Sequence, residues 1–101
     1  MDRRLKLQEL LVDILESPNV YFQPPPSVQM QYPAIRYSLS RIANRHANNG
    51  VYNQNDAYEI ILMDFDPDSE FREKISRLPM CSFDRSYTSD GLNHYVFTLY
   101  F

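Results

Sequence analysis

The stretch Tyr58-Glu59-Ile60-Ile61-Leu62-Met63 puts apolar side chains on both sides of an extended chain, because successive strand residues point to opposite faces. A strand of this kind belongs in the middle of a sheet, with something packed on each side of it. The neighbouring segments supply its partners. Upstream, Ile35, Tyr37 and Leu39 alternate with Arg36, Ser38 and Ser40 from Pro33 onward, which predicts a half-buried strand. The chain between the two strands, Arg41 to Asp56, is polar and Asn-rich and holds Gly50. It reads as a hairpin whose tip, about residues 43–55, is longer than a tight turn requires. A polar tip that the fold does not need is a candidate contact element.

Downstream, Asp66-Pro67-Asp68-Ser69-Glu70 offers an acid to cap a helix, Pro at its first position and acids in its first turn. Phe71, Ile75 and Leu78 then predict a helix over roughly 67–78, ended by Pro79. Two strands complete the chain, roughly 80–87 and 93–101, with Ser89-Asp90-Gly91 in the turn between them. The first would place Cys81, Phe83 and Tyr87 on one face. The second has Tyr95, Phe97, Leu99 and Phe101 on one face, with Val96 and Tyr100 on the other.

At the other end, Leu7, Leu10, Leu11, Ile14 and Leu15 form an apolar stripe at helical spacing, giving a helix over roughly 3–16. Ser17-Pro18-Asn19 stops it, and Val20-Tyr21-Phe22 is a short extended piece. Pro24-Pro25-Pro26 has no backbone N–H to donate and reads as a stiff connector, or as a ligand for a proline-binding module.

The order is αββαββ. It predicts an α+β, two-layer sandwich with a four-stranded, mainly antiparallel sheet and two helices on one face. Two short helices cover one side only, so the second face calls for another subunit. Tyr58, Ile60, Val96 and Tyr100 are assigned to that face.

With 101 residues the chain is read as one domain, and 14% of it is aromatic, eight Tyr and six Phe. The formal charge of −3 argues against an obligate nucleic-acid binder. Residues 1–50 carry six Lys/Arg against four Asp/Glu, while residues 51–101 carry four against nine. A protomer with ends of opposite sign suits head-to-tail association. Cys81 is the only cysteine, which suits a reducing cytosol. No apolar run approaches the roughly 20 residues of a membrane span.

Few residues suggest chemistry. Asp64, Asp66, Asp68 and Glu70 alternate like a calcium loop, but Ser69 and Ile75 stand where such a loop needs Gly and Glu. Cys81 and His94 lie on strands expected to pair, with no third orienting group. Arg36, Arg41, Arg45 and His46 line the first hairpin, as a phosphate strip or as partners for an acidic neighbouring subunit. No nucleophile elbow, zinc-protease helix, phosphate loop or paired CxxC occurs. The expectation is a protein that is not an enzyme, with no cofactor and no metal.

Several segments together resemble one family. They are Arg3-Arg4-Leu5-Lys6-Leu7-Gln8, Asn19-Val20-Tyr21-Phe22-Gln23-Pro24-Pro25, Tyr32-Pro33-Ala34-Ile35 and Ala47-Asn48-Asn49-Gly50-Val51-Tyr52. Asp66-Pro67-Asp68-Ser69 follows, and then the long run from Phe83-Asp84-Arg85-Ser86-Tyr87 through Thr88-Ser89-Asp90-Gly91-Leu92-Asn93-His94. The chain resembles, nearly end to end, the tail terminator or tail-completion proteins that join tail to head in long-tailed bacteriophages.

That resemblance implies a structural virion protein, a hexameric ring of identical copies that ends tail-tube growth. Its other partners would be the major tail tube protein and the head–tail connector or stopper. No membrane and no specific nucleic acid would be bound, with DNA passing through the ring. The setting would be the neck of the virion, and the host cytoplasm during assembly. The alternatives are a head-side adaptor or stopper and, more remotely, a nucleic-acid-binding accessory protein. The expected contact residues are Arg36, Arg41, Arg45, His46, Tyr52, Tyr58, Ile60, Val96 and Tyr100, with the tip mobile in the free protein and ordered in the virion.

Overall fold

The structure, a computed structural model, describes residues 3–41 and 56–101. Its elements are α1 (Arg3–Leu15), β1 (Val20–Phe22), β2 (Ala34–Arg41), β3 (Ala57–Asp64), α2 (Glu70–Ser76), β4 (Cys81–Ser89) and β5 (Leu92–Tyr100). The strands form one sheet in the order β1-β2-β3-β5-β4. The doubly apolar strand β3 is central, as its residues require. The two helices pack on the same sheet face. Leu7, Leu11 and Leu15 of α1 and Ile75 of α2 share one core with Ile35, Tyr37, Tyr58, Ile60, Leu62, Tyr95, Phe97 and Leu99. The tip at about 43–55, with Arg45, His46 and Tyr52, lies outside the described residues.

The α+β class and the two helices agree with the sequence reading, but the sheet has five strands and is mixed. Val20, Tyr21 and Phe22 pair in parallel with Ile35, Arg36 and Tyr37. Extended residues beside a strand complete their backbone hydrogen bonds only by joining it. Asn19 O accordingly accepts from Ile35 N at 2.9 Å, and Gln23 N donates to Tyr37 O at 2.9 Å.

Residues 23–33 connect these parallel strands and cover part of the second face. Met30 and Tyr21 pack there on Ala34, Met63 and Leu92. The chain itself thus covers part of the face that the sequence reading left to a neighbouring subunit.

The second helix starts later than expected, at Glu70, with Ser69 in the capping position. Asp66 does not cap it. Asp64 Oδ1 accepts from Asp66 N at 3.0 Å, and Asp66 Oδ1 accepts from Asp68 N at 2.9 Å. Two successive Asp-stabilised turns thus consume the acids, since a carboxylate two residues before an amide reaches it without helical geometry. Tyr95 anchors the loop by donating from its hydroxyl to Pro67 O at 3.1 Å.

The turn between β4 and β5 is as read. Asp90 and Gly91 have φ of 54° and 77°, the left-handed pair of a two-residue hairpin. Within β4, however, the register shifts between Phe83 and Arg85. This bulge reverses the alternation. Cys81 and Phe83 oppose Leu99 and Phe97 on the helix side, whereas Tyr87 opposes His94 on the other side. Among the described residues, no helix is long and apolar enough to cross a membrane.

Candidate functional site

On the sheet face away from the helices, cross-strand register arranges the side chains in rows. Tyr21, Arg36, Ile61, Val96 and Arg85 form one row, and Arg41, Ala57 and Tyr100 another. Ala34, Met63, His94 and Tyr87 form a third. The rings of His94 and Tyr87 stack at 4.6 Å with an interplanar angle of 10°.

Of the expected contact residues, Arg36 and Arg41 are exposed and Tyr100 is half-buried. Arg36 lines a groove of about 380 Å³ with the three prolines, Met30, Met63 and His94. Tyr100 lies at the end of the sheet, beside a cleft of about 200 Å³ shared with Leu10, Leu78 and Met80.

Three assignments are corrected. Tyr58 and Ile60 are 5% and 0% exposed and belong to the helix-covered core. They have the parity of Leu62, which opposes Tyr95, and not that of Ile61, which opposes Val96. Val96 does point away from the helices, but it is 0% exposed. Flanked by Ile61 and the bulged Arg85, it cannot itself touch a partner.

One exposed feature escaped the sequence reading. β4 is exposed from Ser82 to Ser89, and among the described residues no strand pairs with its outer edge. Phe83 is 52% and Tyr87 44% exposed, on opposite faces of the strand. Beside Phe83 runs a cleft of about 450 Å³, bounded by Arg72, Glu73 and Ser76 of α2 and floored by Tyr95 and Phe97. The Arg72 guanidinium sits 5.4 Å from the Tyr95 ring centre, and Phe83 meets Phe97 edge-on at 5.5 Å. Such a slot fits an apolar side chain of a partner. The available signal was composition: Ser82-Phe83-Asp84-Arg85-Ser86-Tyr87-Thr88-Ser89 has too few apolar residues for a strand covered on either face.

The arrangements with catalytic potential come apart. Cys81 opposes Leu99, while His94 lies five positions along β5 and faces the other way. Burial raises the Cys81 thiol above its ordinary 9.0, which disfavours the thiolate. Among the described residues, no three His, Cys, Asp or Glu gather to hold a metal.

Tyr37 also holds its proton tightly. Burial raises it above the ordinary 10.0, outweighing the hydrogen bond and charge of Arg4, which lower it. Both groups bind protons more strongly folded than unfolded. Their stabilisation is therefore complete below the unfolded values and is lost as pH rises through the folded ones. The urea midpoint should stay flat from about pH 7 to about pH 8.5 and fall above that. The combined variant Tyr37→Phe, Cys81→Ser should show a shallower alkaline decline; an unchanged slope would mean other groups cause it.

No protein-family model, no curated protein and no solved structure matches the chain.

Proposed function

We propose that this chain is a structural virion protein, not an enzyme. It forms a ring, six-membered by the resemblance described above, at the head-proximal end of a bacteriophage tail tube, ends tail growth and joins tail to head. One observation carries the reading toward a ring. The sheet order sets the two oppositely charged parts of the chain at opposite edges. Residues 3–41, forming α1, β1 and β2, hold five Lys/Arg against three Asp/Glu, and residues 56–101, forming the rest, hold four against nine. An interface between unlike ends repeats head to tail and closes into a ring when the rotation allows. Complementary potentials also speed and orient such contacts. Exposed Arg36 and Arg41 on the basic side supply donors for carboxylates of the next copy.

The test is a phage whose copy of this gene is deleted or replaced. Deletion should yield filled heads and separate tails of irregular length. Tails of normal length that merely fail to attach would assign the chain to the head-side adaptor instead. Double reversal, Arg36→Glu with Arg41→Glu, should leave a folded chain while cutting infectious particles by roughly tenfold or more, the loss expected when steering and rim pairs turn repulsive. Undiminished titre from that variant would remove the charged ends from the assembly contact.

A further inference from the structure

We propose that in the free protein the outer edge of β4 pairs antiparallel with β4 of a second copy, about a two-fold axis passing between Asp84 and Arg85. Edge strands expose unpaired N–H and C=O groups and are natural sites of strand addition. The two edges of this sheet differ. At β1, Asn19 and Gln23 bond to β2, so Val20 and Phe22 point outward. Val20 N already donates to Pro18 O at 2.7 Å, and Val20 O accepts from Gln8 Nε2 at 3.2 Å. That edge is closed to a full strand. Among the described residues no complementary edge exists for head-to-tail strand addition, and β4 is left to meet its own kind.

The bulge makes β4 self-complementary. Tyr100 N donates to Met80 O at 3.1 Å, so Met80 and, two residues on, Ser82 face β5, leaving Cys81 and Phe83 facing outward. From the other end, the two-residue turn makes Ser89 a hydrogen-bonded partner of Leu92. Tyr87 and Arg85 then face β5, and Ser86 and Thr88 face outward. Cys81 N already donates to Leu78 O at 3.3 Å, so the open outward groups belong to Phe83, Ser86 and Thr88, and the central pair Phe83 and Ser86 is symmetric about the Asp84–Arg85 bond.

Side-chain faces obey the same symmetry. Phe83 and Ser86 lie on the helix side, opposite Phe97 and Tyr95, and Ser82 and Tyr87 lie on the other, opposite Thr98 and His94. Phe83 therefore meets Ser86 of the second copy, and Ser82 meets its Tyr87, each pair on a common face as a sheet demands. A regular strand would have to centre the axis on a residue and oppose that residue to itself.

The charges agree. Arg85 Nη1 lies 2.7 Å from Asp84 Oδ2 within one chain, both side chains about half exposed. Pairing brings Asp84 beside Arg85 of the second copy twice over, so unlike charges alternate at the centre. This contact goes beyond the ring reading and does not rest on it. A two-fold joint closes on two copies, so it describes the chain before assembly.

Sedimentation equilibrium of the full chain should show a monomer–dimer equilibrium, with dissociation on the order of micromolar, the range of modest interfaces. Asp84→Arg alone and Arg85→Asp alone set like charges opposite each other, and each should weaken dimerisation by roughly tenfold or more. Mixed together, the two variants should form heterodimers visible by native mass spectrometry, which a folding defect could not produce. A wild-type monomer up to about millimolar concentration would overturn the proposal, as would single variants that dimerise normally or a mixture that stays monomeric. These outcomes read the mass of the free protein, whereas the ring reading stands or falls on particle morphology.

Discussion

Tyr37→Ala is expected to destabilise the chain by about 3–5 kcal/mol, the usual cost of deleting a buried aromatic ring. Tyr37 is fully buried in β2, and its ring packs at 4.9 Å on Phe22 and 6.1 Å on Tyr58. Its hydroxyl donates to Gln8 Oε1 at 2.6 Å and accepts from Arg4 Nη1 at 3.3 Å, so one side chain joins α1 to the sheet. Domains of this size are stable by about 5–15 kcal/mol in total, and the variant should be close to unfolding at room temperature. Tyr37→Phe keeps the ring and loses only the two hydrogen bonds, at about 1 kcal/mol each. Urea denaturation followed by circular dichroism separates the two. A loss below about 1 kcal/mol for the alanine variant would mean that α1 is held by other contacts.

Ile60→Ala should cost about 2–5 kcal/mol, and the loss should appear in the isolated chain. Ile60 lies between Tyr37 and Phe97 on neighbouring strands and is fully buried beneath the helices. The spread of such costs follows how far a site relaxes after truncation. An assembly residue would behave differently, leaving the thermal midpoint of the isolated chain unchanged while weakening association. A midpoint within about 2 °C of wild type would return Ile60 to an interface, because 1 kcal/mol moves a domain of this size by roughly 4–8 °C.

The contrast between Ile60 and Ile61 shows how far the residues could be read. A strand apolar on both sides announces that it is central, and β3 is. It does not announce which side receives the helices. That follows from register, since Ile60 shares its parity with Tyr37 and Phe97 while Ile61 shares its parity with Arg36 and Val96. Likewise the string of acids before α2 marks a turn and a helix start, but whether a given Asp caps the helix or bonds its own turn depends on competing local geometries of similar energy. The candidate surface was less legible still. Arg36 is where alternation puts it, whereas Arg41 shares its face only through the irregularity between Leu39 and Arg41, and the open β4 edge arises only when the strands are ordered in space.

By itself, the sequence determined what period and punctuation can carry. The apolar stripe of α1, the alternation of β2, the doubly apolar β3 and the Asp90-Gly91 turn are local patterns, each readable within a few residues. The uneven charge of the two parts of the chain is also a property of the string alone. Tertiary structure decided everything that depends on partners distant along the chain. It recruited Val20–Phe22 as a parallel fifth strand, folded residues 23–33 over part of the second face, and buried Val96 beside a bulge. Backbone groups must be satisfied and faces covered by whichever segments lie nearby. Which segments those are is settled by packing and register, where a one-residue bulge in β4 is enough to send Tyr87 to the opposite face from Phe83.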